Sequence, residues 1–338
     1  MWRLRMQGKV LVTGGAGYVG SHCCRAFAEA GWEVTVFDNF ATGWRDLVRW
    51  GGMIEGDLNE PADIEAAFQK VKPDAVAHFA GSTLVGESVH EPEKYYRNNT
   101  VTTLNLLEVM RRHDVRNIIF SSTCAIFGRA QTKYLAEDHP LNPINPYGMS
   151  KLMVEHMLAD SDRAHGIRSA CLRYFNAAGA DRDALTGERH VPETHLIPLA
   201  LKGAYDPDYA FSIFGDDFDT PDGTAIRDYI HVEDLAEAHL LALNALRAGA
   251  PSNVFNLGTG RGTSVAEVVA AVEKATGQTL PRKIGPRRAG DPPRLVAAPD
   301  RAAETLGWKA RRSDIDSIIQ SALAWHQKDW ARKRTDAG

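Results

Sequence analysis

The chain has 338 residues, of which 44% are hydrophobic and 24% are charged. These values are ordinary for a globular protein, and the length allows one large α/β domain or two lobes that share a cleft. The formal net charge of −4 gives no general attraction to polyanions, so nucleic acid is not expected as a partner.

The four cysteines are Cys23, Cys24, Cys124 and Cys171. The adjacent pair is badly placed for a mutual disulfide, and no pair has metal-ligand spacing, so reduced thiols in the cytoplasm are expected. Residues 1–9 lack the apolar core of a signal peptide, and no stretch approaches a membrane-spanning length. A membrane is therefore not an expected partner.

The start of the chain predicts a dinucleotide site. Residues 9–13 form a short apolar strand, and Gly14, Gly17 and Gly20 follow before a helix. Glycines let the backbone approach a pyrophosphate, which the helix N-terminus then attracts. The next strand ends on Asp38, at the interval expected of a carboxylate that binds the adenosine ribose. Because that carboxylate would repel a 2′-phosphate, the pattern favours NAD over NADP. The alternative is a tight glycine turn without a ligand.

Strands and helices continue to alternate along the first half of the chain. Further strands are expected over residues 53–57, 75–81, 117–122 and 168–175. This alternation predicts an α/β fold with a Rossmann-like, doubly wound, mostly parallel sheet, in which ligands bind beyond the carboxyl ends of the strands. Five residues fall at such ends and are predicted to face one crevice: Gly14, Asp38, Ala80, Thr123 and Asn176.

Two polar residues in these strands have competing interpretations. Asp57 ends a short strand, where it either reaches the adenine of the cofactor or simply completes a turn. His78 lies inside an apolar strand, and we expect it to be a packed core histidine and not a ligand.

Tyr147 and Lys151 lie four residues apart, directly after Asn145 and Pro146, a pair typical of a helix start. Residues i and i+4 share a helix face, so the phenol and the ammonium project to the same side. A free tyrosine, with a pKa near ~10, is a poor base at neutral pH, but a nearby cation and the helix dipole lower that pKa. Thr123, at the end of the preceding strand, offers a hydroxyl that could share a substrate proton with the phenol.

The composition changes after Asn176. Residues 177–223 are rich in Gly, Pro, Asp and Thr and contain only short apolar runs, which suits a smaller lobe over the cleft. Residues 225–232 resemble a strand, and residues 234–246 resemble a helix. Residues 252–258 resemble a strand that returns to the main sheet.

Arg227 and Arg288 are candidate clamps for a diphosphate, because the arginine fork matches phosphate oxygens in a bidentate fashion. The alternative is that both are solvated surface arginines. The sequence has no Gly-x-Ser-x-Gly elbow for acyl transfer and no His, Cys and Asp cluster with metal spacing, so no metal is expected.

Taken together, these motifs resemble the extended short-chain dehydrogenase/reductases. The motifs occur in order over residues 13–22, 121–123, 147–151, 173–176 and 227–232. Residues 85–89, 173–176 and 227–232 narrow the resemblance to the nucleotide-sugar 4-epimerases. The similarity extends from about Lys9 to Trp325. It implies that residues 1–176, with about 225–258 returning to them, form an NAD-binding Rossmann domain, and that residues 177–224 and 259–338 form a nucleotide-sugar-binding lobe.

The resemblance also implies a reaction. NAD stays bound, and UDP-glucose and UDP-galactose interconvert through a transient 4-keto sugar. Tyr147 takes the proton of the 4-hydroxyl with the help of Thr123, while Lys151 holds the nicotinamide ribose and lowers the pKa of Tyr147. Relatives pair as homodimers through two helices of each subunit. The corresponding helices of this chain are residues 92–110 and 147–160, so the resemblance implies a homodimer.

By the same matching, two sets of residues bind the ligands. The cofactor set comprises Gly14, Gly17, Tyr18, Val19, Gly20, Asp38, Asn39, Asp57, Leu58, Phe79, Ala80, Gly81, Asn98, Ser121, Tyr147, Lys151 and Tyr174. The UDP-sugar set comprises Thr123, Tyr147, Asn176, His195, Leu196, Phe214, Arg227, Arg288, Asp291 and Leu295.

Two positions depart from the pattern of better-known relatives. Thr83 stands where some carry a lysine near the pyrophosphate, and Leu295 stands where sugar-specific ones carry a tyrosine. Leucine leaves room at C2 of the sugar, so UDP-N-acetylhexosamines and UDP-pentoses are expected as further substrates, and a UDP-xylose/UDP-arabinose 4-epimerase is an alternative.

Other functions compete with a 4-epimerase as interpretations of these motifs. Nucleotide-sugar dehydratases place Asp-Glu after the threonine, where this chain has Cys124 and Ala125, and the decarboxylases need a nearby glutamate that is missing here. A non-catalytic NAD sensor would commonly lose the tyrosine and lysine that this chain keeps. Spacing alone leaves open a C2-epimerising or oxidising enzyme that acts on another nucleotide.

Overall fold

A computed structural model describes residues 7–206, 208–288 and 291–336. In chain order the strands of these residues are β1 (Gly8–Thr13), β2 (Trp32–Asp38), β3 (Gly52–Glu55), β4 (Ala75–His78), β5 (Asn117–Thr123), β6 (Arg168–Tyr174), β7 (Asn176–Ala178), β8 (Phe211–Phe214), β9 (Ile226–Arg227), β10 (Tyr229–His231), β11 (Asn253–Leu257), β12 (Thr263–Ser264), β13 (Arg282–Gly285) and β14 (Arg294–Leu295). The α-helices are α1 (Tyr18–Glu29), α2 (Pro61–Val71), α3 (Val85–His90), α4 (Pro92–Tyr95), α5 (Thr102–Arg112), α6 (Pro146–His165), α7 (Leu196–Tyr205), α8 (Val232–Arg247), α9 (Val265–Thr276), α10 (Asp300–Leu306) and α11 (Ile315–Asp336).

The main sheet has seven strands in the order β11-β6-β5-β4-β1-β2-β3. Every neighbouring pair in it is parallel, which confirms the predicted doubly wound parallel sheet. Both faces are covered, so the strands are apolar along their length, as in Val10, Leu11 and Val12, which are at most 1% exposed. The strand order reverses between β1 and β4, where ligands of such sheets bind.

Helices cover the two faces of this sheet and bury separate apolar clusters. On one face Phe27 of α1 packs with Leu235 and Leu243 of α8. On the other face Phe68 of α2 packs with Val154 of α6. The sheet is therefore held between two helical layers, and its strand ends are left to form the site.

His78 is a buried core residue, as predicted. Its Nδ1 lies 2.6 Å from Thr13 Oγ1 and its Nε2 lies 2.9 Å from Thr103 Oγ1. Burial lowers the pKa of His78 to about 3, so the imidazole is neutral and joins β1 and β4 to the helix behind them.

The helix that carries Tyr147 and Lys151 begins where the sequence places it. Asn145 caps α6 by accepting a hydrogen bond from the Gly148 N–H at 2.8 Å, and Pro146 is its first residue. The helix ends at Gly166 with φ of 67°, a conformation that favours glycine.

Beyond Asn176 the chain forms three small sheets: β10-β7, β12-β9-β14 and β13-β8. The strand expected over residues 225–232 is wrong as a single element: it is divided into β9 and β10 at Asp228. The buried Asp228 carboxylate accepts the backbone N–H groups of Thr259, Gly260 and Ala297 at 2.9–3.1 Å, which holds the chain out of a regular ladder. The return of residues 253–257 to the main sheet is confirmed by the pairing of β11 with β6.

None of the described helices is both long and apolar enough to cross a membrane.

Candidate active site

The glycine loop closes tightly on the end of β4. Gly14 has φ of +73°, and a Cβ added to it would lie 2.8 Å from Ala80 Cα. The N–H groups of Phe79 and Ala80 donate to the Thr13 carbonyl oxygen at 2.9 and 3.1 Å. Gly17 precedes α1 without a side-chain cap, so the first N–H groups of the helix are free of side-chain acceptors. Gly14 and Ala80, two of the five residues predicted to face one crevice, are therefore in close contact.

Asp38 lies beside this loop at the end of β2. Its Oδ2 accepts the Ala16 N–H at 3.0 Å, and its Oδ1 accepts the Phe40 N–H at 2.9 Å. Burial raises the pKa of Asp38 against the opposing effect of these two hydrogen bonds. The carboxylate is thus fixed in orientation beside the glycine loop.

Asn39 follows β2, and Asp57 and Leu58 follow β3 at the same edge of the sheet. The Asn39 amide donates to Asp57 Oδ2 at 3.0 Å, which joins the ends of β2 and β3. Leu58 is 6% exposed and belongs to the core. This part of the crevice has a polar rim above an apolar floor.

Lys151 is buried with its ammonium at the carboxyl end of β5. Its Nζ donates to the Ser121 carbonyl oxygen at 2.9 Å, and the side chain is 2% exposed. Burial lowers the pKa of Lys151 to about 8. Ser121 Oγ is hydrogen-bonded to the Tyr174 hydroxyl, so residues from β5, β6 and α6 meet here.

Tyr147 lies within reach of the Thr123 hydroxyl. Burial raises the pKa of Tyr147 to about 12, while its hydrogen bond with Thr123 lowers it. Lys151 is not among the groups that shift this pKa, so the expected lowering by the ammonium is not found within the chain itself. The ammonium of Lys151 donates to the Ser121 carbonyl oxygen at 2.9 Å.

Two asparagines connect the loop after β4 to this group. Asn99 is 2% exposed; its Oδ1 accepts the Ser82 N–H at 2.8 Å, and its Nδ2 donates to Ser150 Oγ at 2.9 Å. Asn98 donates to Ser82 Oγ at 3.2 Å. A Cβ added to Gly81 would lie 2.7 Å from Asn99 Oδ1 and 3.6 Å from Lys151 Nζ. The cofactor set predicted from the sequence includes Asn98 but not Asn99.

A buried ion pair lies behind the carboxyl end of β5. Glu155 accepts from Arg173 Nε at 2.9 Å and Nη2 at 2.6 Å, and from Ser122 Oγ at 2.5 Å. Arg173 is 3% and Glu155 is 8% exposed. Sequence reasoning missed Glu155, although it stands four residues after Lys151 on α6 and one helical turn along the same face.

The arginines predicted to bind a diphosphate have aromatic and acidic neighbours. Arg227 donates from Nη2 to Asp291 Oδ1, and the Arg288 guanidinium lies 4.4 Å from the centroid of the Phe214 ring. Arg288 and Phe214 are exposed, whereas the Arg227 side chain is 12% exposed. Four of the residues predicted for the UDP side therefore lie in two contacting pairs.

Arg227 also connects this group to the strand ends. It is close enough to lower the pKa of the Cys124 thiol, although burial raises that pKa to about 12 overall. Strand β9 pairs Arg227 with Leu295 of β14, and Leu295 packs on the cluster that contains Cys124. Asn176 donates its N–H to the Asp228 carbonyl oxygen at 3.0 Å.

His195 and Leu196 lie where a loop enters α7. The helix α7 itself was not predicted from the sequence. His195 Nδ1 lies 2.9 Å from Glu188 Oε1 and 2.9 Å from Glu193 Oε1. Burial lowers the pKa of His195, but these carboxylates raise it to about 10 overall. No metal site was predicted from the spacing of His, Cys and Asp residues. The structure nevertheless brings together Glu188, His190, Glu193 and His195, each with one possible ligand atom.

Tyr18 and the residue after it begin α1 beneath this loop. The Tyr18 hydroxyl donates to the Gly179 carbonyl oxygen at 2.6 Å, and its ring centroid lies 6.4 Å from that of His190. Val19 packs against the core. The start of α1 is thereby joined to the segment that follows β7.

The family model described as the NAD dependent epimerase/dehydratase family matches residues 10–258. The UDP-glucose 4-epimerase of Rhizobium leguminosarum bv. trifolii is 48% identical over 319 residues, which cover 94% of this chain and 97% of the relative. The crystal structure of UDP-glucose 4-epimerase from Brucella ovis in complex with NAD is 50% identical with a TM-score of 0.91, covering 93% of this chain and 97% of that one.

A further solved structure is described with a second ligand besides NAD. UDP-glucose-4-epimerase from Stenotrophomonas maltophila, with bound NAD and formylated UDP-arabinopyranose, is 37% identical with a TM-score of 0.92. The match covers 97% of this chain and 100% of that one. The resemblance inferred from the motifs is confirmed, and the chain belongs to the NAD dependent epimerase/dehydratase family.

Proposed function

We propose that this protein is an NAD-dependent 4-epimerase that interconverts UDP-glucose and UDP-galactose. The observation that carries the proposal is the group formed by Tyr147, Thr123 and Lys151 at the end of β5, opposite the glycine loop. The Rhizobium leguminosarum and Brucella ovis relatives, both described as UDP-glucose 4-epimerases, support it.

The residues at the strand ends fit NAD. The loop from Gly14 to Gly20 presents backbone without side chains, and the uncapped start of α1 offers N–H groups to a pyrophosphate. Asp38 is an oriented carboxylate for the ribose hydroxyls. The remaining cofactor residues named from the sequence, from Tyr18 to Tyr174, are part of this proposal, with Lys151 on the nicotinamide ribose.

Tyr147 and Thr123 would handle the proton of the sugar 4-hydroxyl. When bound, the oxidised cofactor supplies a hydride acceptor and a positive charge, and a nearby positive charge lowers the pKa of a phenol. That effect is needed, because burial alone raises the pKa of Tyr147 to about 12. Thr123 already hydrogen-bonds the phenol, and Cys124 and Ala125 after it supply no acid and base for a dehydration.

The UDP side is proposed to include Arg227, Arg288, Asp291, Phe214 and Asn176. The Arg288 guanidinium stacks on the Phe214 ring. The planar guanidinium and the aromatic ring could therefore both contact a ligand. His195 and Leu196 at the start of α7 belong to the same side in this proposal, and the smaller sheets beyond Asn176, as a lobe distinct from the Rossmann domain, would enclose the nucleotide.

Replacing Arg227 or Arg288 with alanine should weaken the binding of UDP itself. Each change removes a charge-assisted contact worth about 1.5–3 kcal/mol, or roughly ten- to a hundredfold in Kd. Arg227→Ala should cost more, because it also leaves Asp291 without its partner beside the bound anion. Calorimetric titration with UDP measures both, with Arg163→Ala on the exposed end of α6 as the control. If UDP affinity is unchanged in both variants, the clamp lies elsewhere.

Leu295 is proposed to set the range of sugars. It packs beside Cys124, next to Thr123, and a larger side chain there would occupy space that a C2 substituent needs. The Stenotrophomonas maltophila relative holds a pentose derivative, which supports UDP-pentoses as side substrates.

Leu295→Tyr should therefore suppress activity on UDP-N-acetylglucosamine while sparing UDP-galactose. The expected selective loss is roughly tenfold or more, since overfilling a packed site costs about 1–3 kcal/mol. Initial rates on both substrates give the comparison, with Leu295→Met, of similar volume, as the control. An equal fall on both substrates would show that Leu295 is not the gate.

A homodimer is also proposed. The two helices expected to pair carry exposed apolar side chains: Val101 and Leu104 are 44% and 48% exposed, and Met153 is 40% exposed. Apolar side chains on neighbouring helix surfaces favour burial against a second copy.

Leu104→Lys should shift the protein towards the monomer. The ammonium would be buried without a partner in the proposed interface. Sedimentation velocity gives the mass, and Met53→Lys, on an equally exposed apolar residue of the edge strand β3, is the control. A dimer that withstands Leu104→Lys together with Met153→Lys would contradict this interface.

A cytoplasmic location is part of the same proposal. All four cysteines are buried as free thiols, which is the state that a reducing compartment maintains.

A further inference from the structure

Four side chains of the loop that leads into α7 converge on one point. Glu188, His190, Glu193 and His195 each offer one ligand atom, and these four atoms lie within 4.8 Å of one another. All four residues belong to the segment 188–195, so one short loop supplies every ligand atom. Neither the cofactor nor the proton transfer described above uses the first three of them.

The separations of these ligand atoms are close to those around a tetrahedral ion, and in part shorter. Tetrahedral Zn²⁺ binds nitrogen and oxygen at ~2.0–2.2 Å, which places its ligands ~3.3–3.6 Å apart. Here His195 Nδ1 lies 2.9 Å from one oxygen of each glutamate. His190 Nδ1 lies 3.3 Å from Glu188 Oε1 and 3.5 Å from Glu193 Oε2. For either choice of the Glu193 oxygen, three of the six edges of a tetrahedron lie at 2.9–3.5 Å.

His190 supplies an independent observation. Its Nδ1 is buried without a hydrogen-bond partner, although buried polar atoms are nearly always satisfied. It faces the two carboxylates at 3.3 and 3.5 Å. An ion between the three groups would satisfy it.

The surrounding structure holds the Glu193 carboxylate and the backbone of this segment in place. Glu193 Oε1 accepts the N–H groups of Thr194 and His195 at 2.8 and 2.9 Å. The Glu188 carbonyl oxygen accepts from Trp325 Nε1 at 3.0 Å. Arg189, between these residues, is paired with Asp46 and Asp329 and lies over the rings of Trp44 and Trp325. Outer contacts of this kind orient metal ligands.

We propose that Glu188, His190, Glu193 and His195 form a binding site for one divalent transition-metal ion of the zinc class. Two imidazoles with two carboxylates suit Zn²⁺, whereas Mg²⁺ and Ca²⁺ prefer sites made of oxygen alone. The two carboxylates also balance the charge of the ion. The ion would fix the loop at the start of α7, and with it His195 and Leu196.

The test is a zinc titration of the full-length protein without a histidine tag, freed of metal with EDTA and dialysed. We expect one Zn²⁺ per chain, with Mg²⁺ and Ca²⁺ unable to compete. His190→Gln and Glu188→Gln should each weaken zinc binding at least as much as the ~10–100-fold loss known for outer-shell partners. His165→Gln, at the exposed end of α6, is the matched control and should bind as the parent does.

Thermal unfolding keeps the test informative if a variant is destabilised. The parent and His165→Gln should melt at a higher temperature with zinc than with EDTA, and the two ligand variants should show no such difference. Failure of the parent to take up zinc, or equal uptake by the parent and both ligand variants, would overturn the proposal. In that case the four side chains form two His–Glu ion pairs only. The result is independent of turnover, so it does not depend on the proposed epimerase activity.

Discussion

Tyr147→Phe should lower epimerase turnover by ~10²–10⁴-fold, the usual contribution of a positioned acid or base. Only the hydroxyl is removed, so the ring contact between Tyr147 and Tyr95, whose centroids are 6.3 Å apart, should persist and the fold should be kept. Binding of UDP-galactose should change little, because the loss falls on the proton transfer. Rates by coupled assay and affinities by calorimetry separate the two effects.

The pH dependence gives this variant a second measurement. Burial raises the pKa of Tyr147 above its ordinary value, so the phenolate is scarce at low pH and its fraction rises with pH up to the pKa in the loaded enzyme. The rate of the parent should rise over the same range, and the residual rate of Tyr147→Phe should not. Thr123→Val serves as a comparison that keeps the phenol but removes its hydrogen bond. A Tyr147→Phe variant within twofold of the parent would show that Tyr147 is not the base.

Arg173→Met should destabilise the protein by about 3–5 kcal/mol, because it leaves the buried Glu155 carboxylate without its cation. Of the side-chain donors that Glu155 has among the described residues, Ser122 would remain. Urea unfolding should show a clear fall in the midpoint.

The control uses an ion pair of the same type on the surface. Arg163 and Asp160 are 73% and 70% exposed, and exposed pairs contribute little, so Arg163→Met should barely move the midpoint. Arg173→Met combined with Glu155→Leu should recover part of the loss, since no unpaired charge remains. An unchanged midpoint for Arg173→Met alone would contradict a structural role for this pair.

Parallel strands made the site largely predictable. Their carboxyl ends meet on one edge of the sheet, so Gly14, Asp38, Ala80 and Thr123 could be placed together from strand boundaries alone. The i, i+4 spacing placed Tyr147 and Lys151 in the same way. These rules hold because each follows from the geometry of one regular element.

The inward orientation of Asn99 could not be predicted, because its helix is not regular. Residues 96–101 form a π-helical turn between α4 and α5, which changes the face that each residue presents relative to an α-helix. Asn99 therefore turns inward to Ser82 and Ser150, where an α-helical count favours other positions.

Two further features depend on contacts that no local pattern contains. Helix α7 carries Pro198 in its first turn, a position that tolerates proline, yet in the sequence the proline marks a loop. The pKa of Tyr147 depends on burial and on its hydrogen bond with Thr123. The Ser121 carbonyl oxygen that receives the Lys151 ammonium lies 30 residues earlier in the chain. Such partners become known only once the fold is built.

Proton NMR of UDP-galactose mixed with the purified protein, without added nucleotide, tests the central claim most directly. Signals of UDP-glucose should grow until the two sugars reach equilibrium, and the heat-denatured protein should release NAD. Unchanged UDP-galactose beside released NAD would contradict the epimerase and favour a non-catalytic NAD-binding protein, and turnover that requires added NADP would contradict the assigned cofactor.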